Sequence, residues 1–258
     1  WTERERLPEK AREQIALMQL KSMETRDRIL DGDDSGDDAS PPDVWQWIPG
    51  ILGLPVELEP SGLRRLPLVT WGLAAALVAV FLFTMNHLQV AVADFGFMAG
   101  QPWRNGGMTW ITSFFLHGSW WHLAGNIYFL LVFGDNVEDE VGHWRYLALI
   151  AGAAIIGSVV YVVGEPRRML PMVGASGGIS GVIVYYGLRF PRARLGLMFR
   201  YWYYIRWFSV PAYAAMAFWL AVQLFMAYSQ MHGMGNISAL AHLGGVVAGA
   251  VAWMLWRP

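Results

Sequence analysis

Six long apolar segments occupy most of the chain after residue 65. They lie near residues 66–86, 121–136, 145–164, 172–190, 208–228 and 239–256. A helix that crosses a bilayer needs about 20 apolar residues, and backbone polar groups cannot stay unpaired in lipid. The segments therefore predict an all-α polytopic membrane protein, a bundle of six transmembrane helices of which the second and fourth are short.

The charged residues are concentrated before the first segment. Charged residues make up 15% of the chain, against about a quarter in a soluble domain, and both lysines lie within residues 1–60. Residues 8–30 predict a charged, weakly amphipathic helix, residues 31–43 an acidic linker, and residues 45–55 an interfacial segment. We therefore divide the chain into a cytoplasmic N-terminal region, residues 1–60, and a membrane domain, residues 61–258.

The arginines predict how the helices are oriented. If all six segments span the membrane, nine arginines flank them on one side and only Arg104, Arg167 and Arg168 lie on the other. Basic loops face the cytoplasm, so both termini are expected there, in a bacterial inner membrane or its equivalent. The absence of cysteine excludes disulfides and thiol catalysis, and the formal charge of −1 gives no reason to expect nucleic acid.

Four catalytic-type side chains fall in the first turns of the second, fourth and sixth segments, which all enter from the outer face. They are His122, Asn126, Ser176 and His242. Polar side chains are costly to bury within membrane helices, and they often mark a functional site. Ser176 and His242 could pair as nucleophile and general base. No acidic residue within the membrane is placed to orient His242, so we expect a dyad.

The remaining polar groups are suited to stabilising an oxyanion. His122 and Asn126 are four residues apart and share one helix face, where both can donate hydrogen bonds. The backbone N–H of Ser176 adds a donor at a helix N-terminus. Gly174 and Gly177 allow a tight turn and a close backbone approach beside Ser176.

Small residues predict close packing of the fourth and sixth helices. Gly177, Gly178 and Gly181 form one small face, and the opposite face contains Ala241, Gly244, Gly245, Ala248 and Gly249. A fourth helix that starts at Ser176 is about 22 Å long, which places Ser176 about 8 Å below the outer interface. We therefore expect a polar cavity that admits water from the outer side.

Three separated motifs carry a family resemblance. "FFLHGSWWHLAGNIYFLLVFGDNVE", "GASGGISG" and "AHLGGVVAGA" resemble the rhomboid family of intramembrane serine proteases. The resemblance implies that Ser176, in the family's GxSG pattern, is the nucleophile and that His242 is the base. It also implies that His122 and Asn126 contribute to the oxyanion hole, and that the substrates are single-pass membrane proteins cut near the outer end of their transmembrane helix.

The same resemblance assigns structural roles outside the dyad. His117 matches a histidine of the first outer loop, and Gly134 and Glu138 match the family's Gly…Glu pair at the inner end of the second helix. Two places depart from the family's pattern. Met108 and Thr109 stand where the family has Trp-Arg, which is found nearby as Trp103–Arg104. Ser180 stands where many members have an aromatic ring against the base.

Several other interpretations are weighed against the protease. Ser180 also lies in a GxSG string, but we expect it one turn too deep to reach His242 and bonded to a carbonyl or a neighbouring helix. The glycines alone could serve helix packing. His117 and His122 lack a third ligand, so no metal ion or cofactor is expected. A catalytically inactive rhomboid-like protein that binds transmembrane helices, or a small transporter, remain alternatives.

Overall fold

The structure, a computed structural model, describes residues 46–58, 62–202, 204–235 and 237–256. These residues form two compact units. The first contains residues 46–58, 62–66, 190–202 and 204–215, and the second contains residues 67–189, 216–235 and 237–256. The predicted helix at 8–30 and the predicted linker at 31–43 lie outside the described residues, so the division of the chain at residue 60 stays a prediction.

Nine α-helices, five strands and two short 3₁₀ turns make up the described residues. In chain order they are α1 (Trp47–Ile51), β1 (Val56–Glu57), α2 (Leu68–Thr84), the turn Met85–His87, α3 (Leu88–Phe95), β2 (Phe97–Met98), the turn Arg104–Gly107, α4 (Thr109–Phe115), α5 (Trp120–Val141), α6 (His143–Gly164), β3 (Pro171–Met172), α7 (Ser176–Arg189), β4 (Arg194–Tyr201), β5 (Tyr204–Pro211), α8 (Ala212–Met231) and α9 (Ala239–Leu255).

A helix occupies each of the six apolar segments, namely α2, α5, α6, α7, α8 and α9. Among the described residues, three helical stretches are long and apolar enough to cross a membrane: Leu68–Phe95, His143–Gly164 and Ala212–Met231. Helix α9 is apolar but shorter, with 17 residues. The fold is therefore mostly helical with several candidate spans, and the count of six spans stays a prediction.

The structure differs from the all-α prediction where two small sheets form. The fifth segment was expected to begin near residue 208, but residues 204–211 pair with β4 as strand β5, and α8 begins only at Ala212. This stretch is rich in aromatic and β-branched residues, which favour an extended backbone once a partner strand is available. Pro171 and Met172 form β3, and the fourth helix begins at Ser176, as expected.

The first unit is built on an antiparallel sheet of order β1-β4-β5. Helix α1 packs against β5 through an edge-to-face contact between the rings of Trp47 and Trp207, whose centroids are 5.6 Å apart. Gly50 lies against the same Trp207 ring, where any β-carbon would overlap it. The interfacial segment predicted at 45–55 thus contains a short helix held on a hairpin, and Ile48 and Ile51 on that helix stay exposed.

Helix α9 approaches α6 and α7 through glycine contacts in the second unit. A β-carbon on Gly244 would lie 2.5 Å from the Cα of Gly157 on α6. On the α7 side, a β-carbon on Gly245 would overlap the carbonyl oxygen of Gly177. These backbones touch directly, an arrangement that only small residues permit in a membrane bundle.

The predicted small face of α7 is divided between two neighbours. Gly177 faces α9, whereas Gly181 lies between both neighbours, because a β-carbon on it would lie 2.6 Å from the Cβ of Ala153 on α6 and 3.2 Å from the carbonyl oxygen of Gly245 on α9. Gly178 instead faces α6, because a β-carbon on it would lie 3.0 Å from the carbonyl oxygen of Ile150. Three helices rather than two therefore meet at the start of α7.

Glu138 joins the far end of α5 to the first turn of α2. Its carboxylate accepts hydrogen bonds from the backbone N–H of Val69 and of Thr70, each at 2.8 Å, and from Thr70 Oγ1 at 2.7 Å. His143 Nδ1 contacts the same carboxylate at 2.5 Å. A carboxylate at a helix N-terminus satisfies orphan donors and is favoured by the helix dipole.

A second buried carboxylate, Glu165, joins the end of α6 to α8 and to the segment before α9. It accepts hydrogen bonds from Arg167 Nε at 2.9 Å and from Gln230 Nε2 at 2.7 Å, and Gln230 Oε1 accepts from the Leu240 N–H at 2.9 Å. Arg167 also donates to the carbonyl of Gly235. Burial alone would raise the pKa of Glu165, but these hydrogen bonds outweigh it and hold the pKa below its usual value.

We expect Gly245→Ala to destabilise the protein, because the added methyl group overlaps the Gly177 carbonyl and forces α9 away from α7. Overpacking of this kind costs about 1–3 kcal/mol. Gly152→Ala on α6 is the matched control, since a β-carbon there meets nothing within 4 Å. Thermal unfolding in detergent should show a lower Tm for Gly245→Ala only; equal Tm values for the two variants would contradict the packing described here.

Candidate active site

Ser176 is the first residue of α7 and follows a turn that requires glycine. Gly174 has φ +118°, a backbone conformation that residues with a β-carbon rarely adopt. Its N–H donates to the carbonyl of Ser113 at 2.8 Å, which ties the turn to α4. The hydroxyl of Ser176 is therefore presented at a helix N-terminus, where free N–H groups and the helix dipole favour negative charge.

His242 lies in the first turn of α9, directly opposite Ser176. Its Nε2 is 2.7 Å from Ser176 Oγ, which is hydrogen-bond distance. Gly177 follows Ser176 directly, and Gly245 lies three residues after His242. The close contact between these two glycines holds the two backbones near enough for the Ser176 and His242 side chains to meet. The two residues picked out by the sequence are thus in direct contact.

An open cavity of about 600 Å³ leads to this pair. Ser176, His242, His122 and Asn126 all contribute to its wall. Aromatic side chains from two sides, Trp121 and Phe129 of α5 and Trp219 of α8, complete it. Polar groups thus line one part of a largely apolar cavity, as is usual for ligand sites.

His122 and Asn126 lie beside the Gly174 turn. A β-carbon on Gly174 would be 2.7 Å from His122 Nε2 and 3.7 Å from Asn126 Nδ2, so both side chains approach the backbone just before Ser176. Asn126 Nδ2 donates one hydrogen bond to the carbonyl of His122 at 2.9 Å. An amide nitrogen carries two hydrogens, so the second can point into the cavity.

His117 is fully buried behind His122. The centroids of the two imidazole rings are 5.0 Å apart in an edge-to-face arrangement, and His117 Nδ1 is 3.2 Å from the carbonyl oxygen of Phe115. Within the described residues, His117 Nε2 has no hydrogen-bond partner. The ring packs against His122 and does not line the cavity.

The loop that contains His117 is held by Arg104, the arginine of the displaced Trp-Arg pair, and by Trp110. Arg104 Nη2 donates to the carbonyl oxygens of Ala93 at 2.6 Å and of Gly96 at 2.7 Å. Trp110 Nε1 donates to the carbonyl oxygen of Pro102 at 2.8 Å. Arg104 therefore anchors the loop from a position other than that of the family pattern.

Two of the residues discussed for the site make no hydrogen bond to the side chains of Ser176 or His242 among the described residues. Ser180 is buried and donates to the carbonyl oxygen of Ser176 at 2.7 Å, within its own helix, as predicted. Glu138 is sixteen residues beyond His122 on α5, about 24 Å along the helix axis. Its contacts with Val69 and Thr70 make it an anchor for α2.

Gln223 is a site residue that sequence reasoning missed. Its Oε1 lies 2.7 Å from His242 Nδ1, on the side of the ring opposite Ser176. The signal was present in the sequence: Gln223 and Gln230 are the two amide side chains in an otherwise apolar helix, and their spacing of seven residues places them on one face. Ala227, between them on that face, is also buried.

We expect Gly174→Ala to slow the reaction of Ser176 with a fluorophosphonate probe by at least about tenfold. The added methyl group would displace the His122 ring and the backbone at φ +118° would be strained. Gly125→Ala is the matched control, since Gly125 lines the same cavity and a β-carbon there meets nothing within 4 Å. Labelling rates measured by gel fluorescence should differ between the two variants, and equal rates would count against this geometry.

Comparison of the sequence with known proteins identifies a matching family. Residues 99–258 match the Rhomboid domain family. The chain is 28% identical over 211 residues to RHOMBOID-like protein 12, mitochondrial, of Arabidopsis thaliana, covering 72% of this chain and 57% of that protein.

Two further relatives cover shorter regions. Rhomboid protein 1, mitochondrial, of Saccharomyces cerevisiae is 30% identical over 55% of this chain and 39% of its own length. The putative rhomboid protease YdcA of Bacillus subtilis is 31% identical over 48% of this chain and 63% of its own length. The chain thus spans about half the length of these relatives. With more than half of its residues inside the family match, the chain belongs to the rhomboid family of membrane proteins.

Proposed function

We propose that this protein is an intramembrane serine endopeptidase that uses Ser176 as nucleophile and His242 as general base. The observation that carries the proposal is the 2.7 Å contact between Ser176 Oγ and His242 Nε2 in the wall of an open cavity. Serine is a weak nucleophile until a base within hydrogen-bond reach accepts its proton. A neutral imidazole suits that role near pH 7.

The first half of the proposed reaction forms an acyl-enzyme. Ser176 Oγ attacks the scissile carbonyl carbon while its proton passes to His242 Nε2. The C–N bond then breaks, and the imidazolium returns that proton to the leaving amine. In the second half, a water molecule gives a proton to His242 Nε2 and attacks the ester carbonyl. The bond between that carbonyl carbon and Ser176 Oγ then breaks, and the imidazolium returns the proton to Ser176 Oγ, which releases the new carboxyl terminus.

We assign the stabilisation of the oxyanion to three donors. They are the backbone N–H of Ser176 at the start of α7, the amide of Asn126 and the ring of His122. The approach of both side chains to the Gly174 turn supports this assignment. A donor aimed at the oxyanion contributes about 3 kcal/mol to barrier lowering.

The proposed substrates are single-pass membrane proteins cut near the outer end of their transmembrane segment. The apolar wall contributed by Trp121, Phe129 and Trp219 fits a hydrophobic peptide. The position of Ser176 at the first residue of a 14-residue helix supports a cut near one surface rather than at the bilayer centre.

We expect Ser176→Ala to abolish cleavage of a co-expressed single-pass substrate and to abolish fluorophosphonate labelling, because the attacking oxygen is gone. Ser180→Ala is the matched control on the same helix. Its hydroxyl donates to the carbonyl oxygen of Ser176 and, within the described residues, makes no hydrogen bond to His242, so most activity should remain. Cleavage is scored by immunoblot of a substrate tagged at both ends, at equal expression of each variant.

Undiminished cleavage by Ser176→Ala would refute the proposed function. Wild-type protein that neither cleaves nor labels, yet co-purifies with transmembrane substrates, would favour the inactive, helix-binding relative instead. His242→Ala should behave as Ser176→Ala does, since it removes the base and leaves the nucleophile in place.

The orientation of the protein is proposed from the arginine distribution, with both termini cytoplasmic and six spans. Since the chain contains no cysteine, single cysteines report side-specific access directly. We expect Arg200→Cys, in the β4–β5 hairpin, to be protected from a membrane-impermeant maleimide in intact cells. Gly233→Cys, between α8 and α9, should be labelled. Both positions are exposed; the reverse labelling pattern, or labelling of both, would overturn the orientation.

A further inference from the structure

Gln223 is a buried amide on a helix whose other side is apolar and exposed. Its side chain is only 6% exposed, whereas the adjacent Leu224 and Phe225 are 55% and 71% exposed. A primary amide buried in an apolar setting is costly unless it is hydrogen-bonded. The partner that the structure provides is the imidazole of His242, at 2.7 Å.

The contact determines which ring nitrogen of His242 carries the hydrogen. A neutral imidazole has one donor nitrogen and one acceptor nitrogen. Gln223 Oε1 can only accept, so Nδ1 is the donor and Nε2 keeps its lone pair. That lone pair faces Ser176 Oγ. The amide thus selects the one tautomer in which the ring can take the proton of the serine.

The same hydrogen bond fixes the plane of the ring. Nδ1 is held from α8 and Nε2 from α7, so the imidazole is held at both nitrogens between two helices. Ser180 occupies the position where an aromatic ring would otherwise pack on the base, and it is turned to its own helix. The hydrogen bond to Gln223 is the contact that the structure provides at Nδ1 of this ring.

We propose that Gln223 is the positioning residue of the catalytic base, an uncharged third member that extends the Ser176–His242 pair onto α8. The inference rests on the proposed function. The carboxylate of a Ser-His-Asp triad holds the imidazole in the correct tautomer and orientation, and the amide oxygen of Gln223 does the same here. It does so without a buried negative charge, which is expensive in a membrane protein.

The experiment compares two substitutions of nearly equal size at this position. Gln223→Leu removes the acceptor, and Gln223→Glu keeps an acceptor in the same place. We expect Gln223→Leu to lower kcat, and the rate of fluorophosphonate labelling, by at least about tenfold with KM changed by less than about threefold. Gln223→Glu should recover most of the lost rate. If Gln223 served packing alone, Gln223→Leu would keep more activity than Gln223→Glu, because leucine fits an apolar bundle and a carboxylate does not.

Gln230→Leu is the matched control on the same helix face. It removes an amide of equal size that bonds Glu165 and Leu240 and does not touch His242. We expect it to lower the Tm and to leave the labelling rate per folded molecule unchanged. Gln223→Met is prepared in parallel as a second variant without the amide oxygen, and labelling rates are compared per folded molecule for both.

The outcomes separate this inference from the proposed function. Wild-type kcat in both Gln223→Leu and Gln223→Met would overturn the role of Gln223, and so would equal losses in the leucine and glutamate variants. If Ser176→Ala is labelled as fast as the wild type in the same series, the proposed function itself fails. Loss of labelling in Ser176→Ala alone, with every Gln223 variant active, would overturn only the positioning role.

Discussion

Direct backbone contact between α9 and its two neighbours, α6 and α7, is the constraint on which the rest of the second unit depends. Serine is a short side chain, and a hydrogen bond of 2.7 Å from its oxygen to the His242 ring requires the two helices to approach closely. Glycine at 157, 177, 244 and 245 removes the side chains that would keep the helices apart. The packing and the chemistry are thus two results of one pattern of small residues.

A few buried polar groups then join helices that glycine does not bring together. Glu138 ties α5 to α2, and Glu165 with Gln230 ties the end of α6 to α8 and to the start of α9. A buried polar group that loses its hydrogen bond cannot find a water molecule in its place. The bonds in these clusters therefore fix the positions of the helices more strongly than their net free energies suggest. Helix α8 depends on such contacts in particular, through Gln223 and Gln230.

Much of this architecture could be predicted from the sequence, because apolar length and small-residue spacing act locally. The helices, and the residues at the start of α5, α7 and α9, follow from those patterns. The hairpin of residues 194–211 could not be found that way: its aromatic residues fit an extended strand or a helix end equally well until a partner strand is known. Gln223 was missed because its role appears only when α8 is placed beside His242.

The two-stranded sheet β2–β3 links the loop between α3 and α4 to Ser176 by a short path. Phe97 pairs with Met172, which is four residues before Ser176. Directly before β2, the carbonyl oxygen of Gly96 accepts a hydrogen bond from Arg104, which fastens the loop at that point. Gly174 lies between this sheet and Ser176, so the connection from the loop to the hydroxyl oxygen runs through four residues and through no long helix. The loop and the start of α7 are therefore one continuous structure, separate from the glycine contacts that hold the bundle.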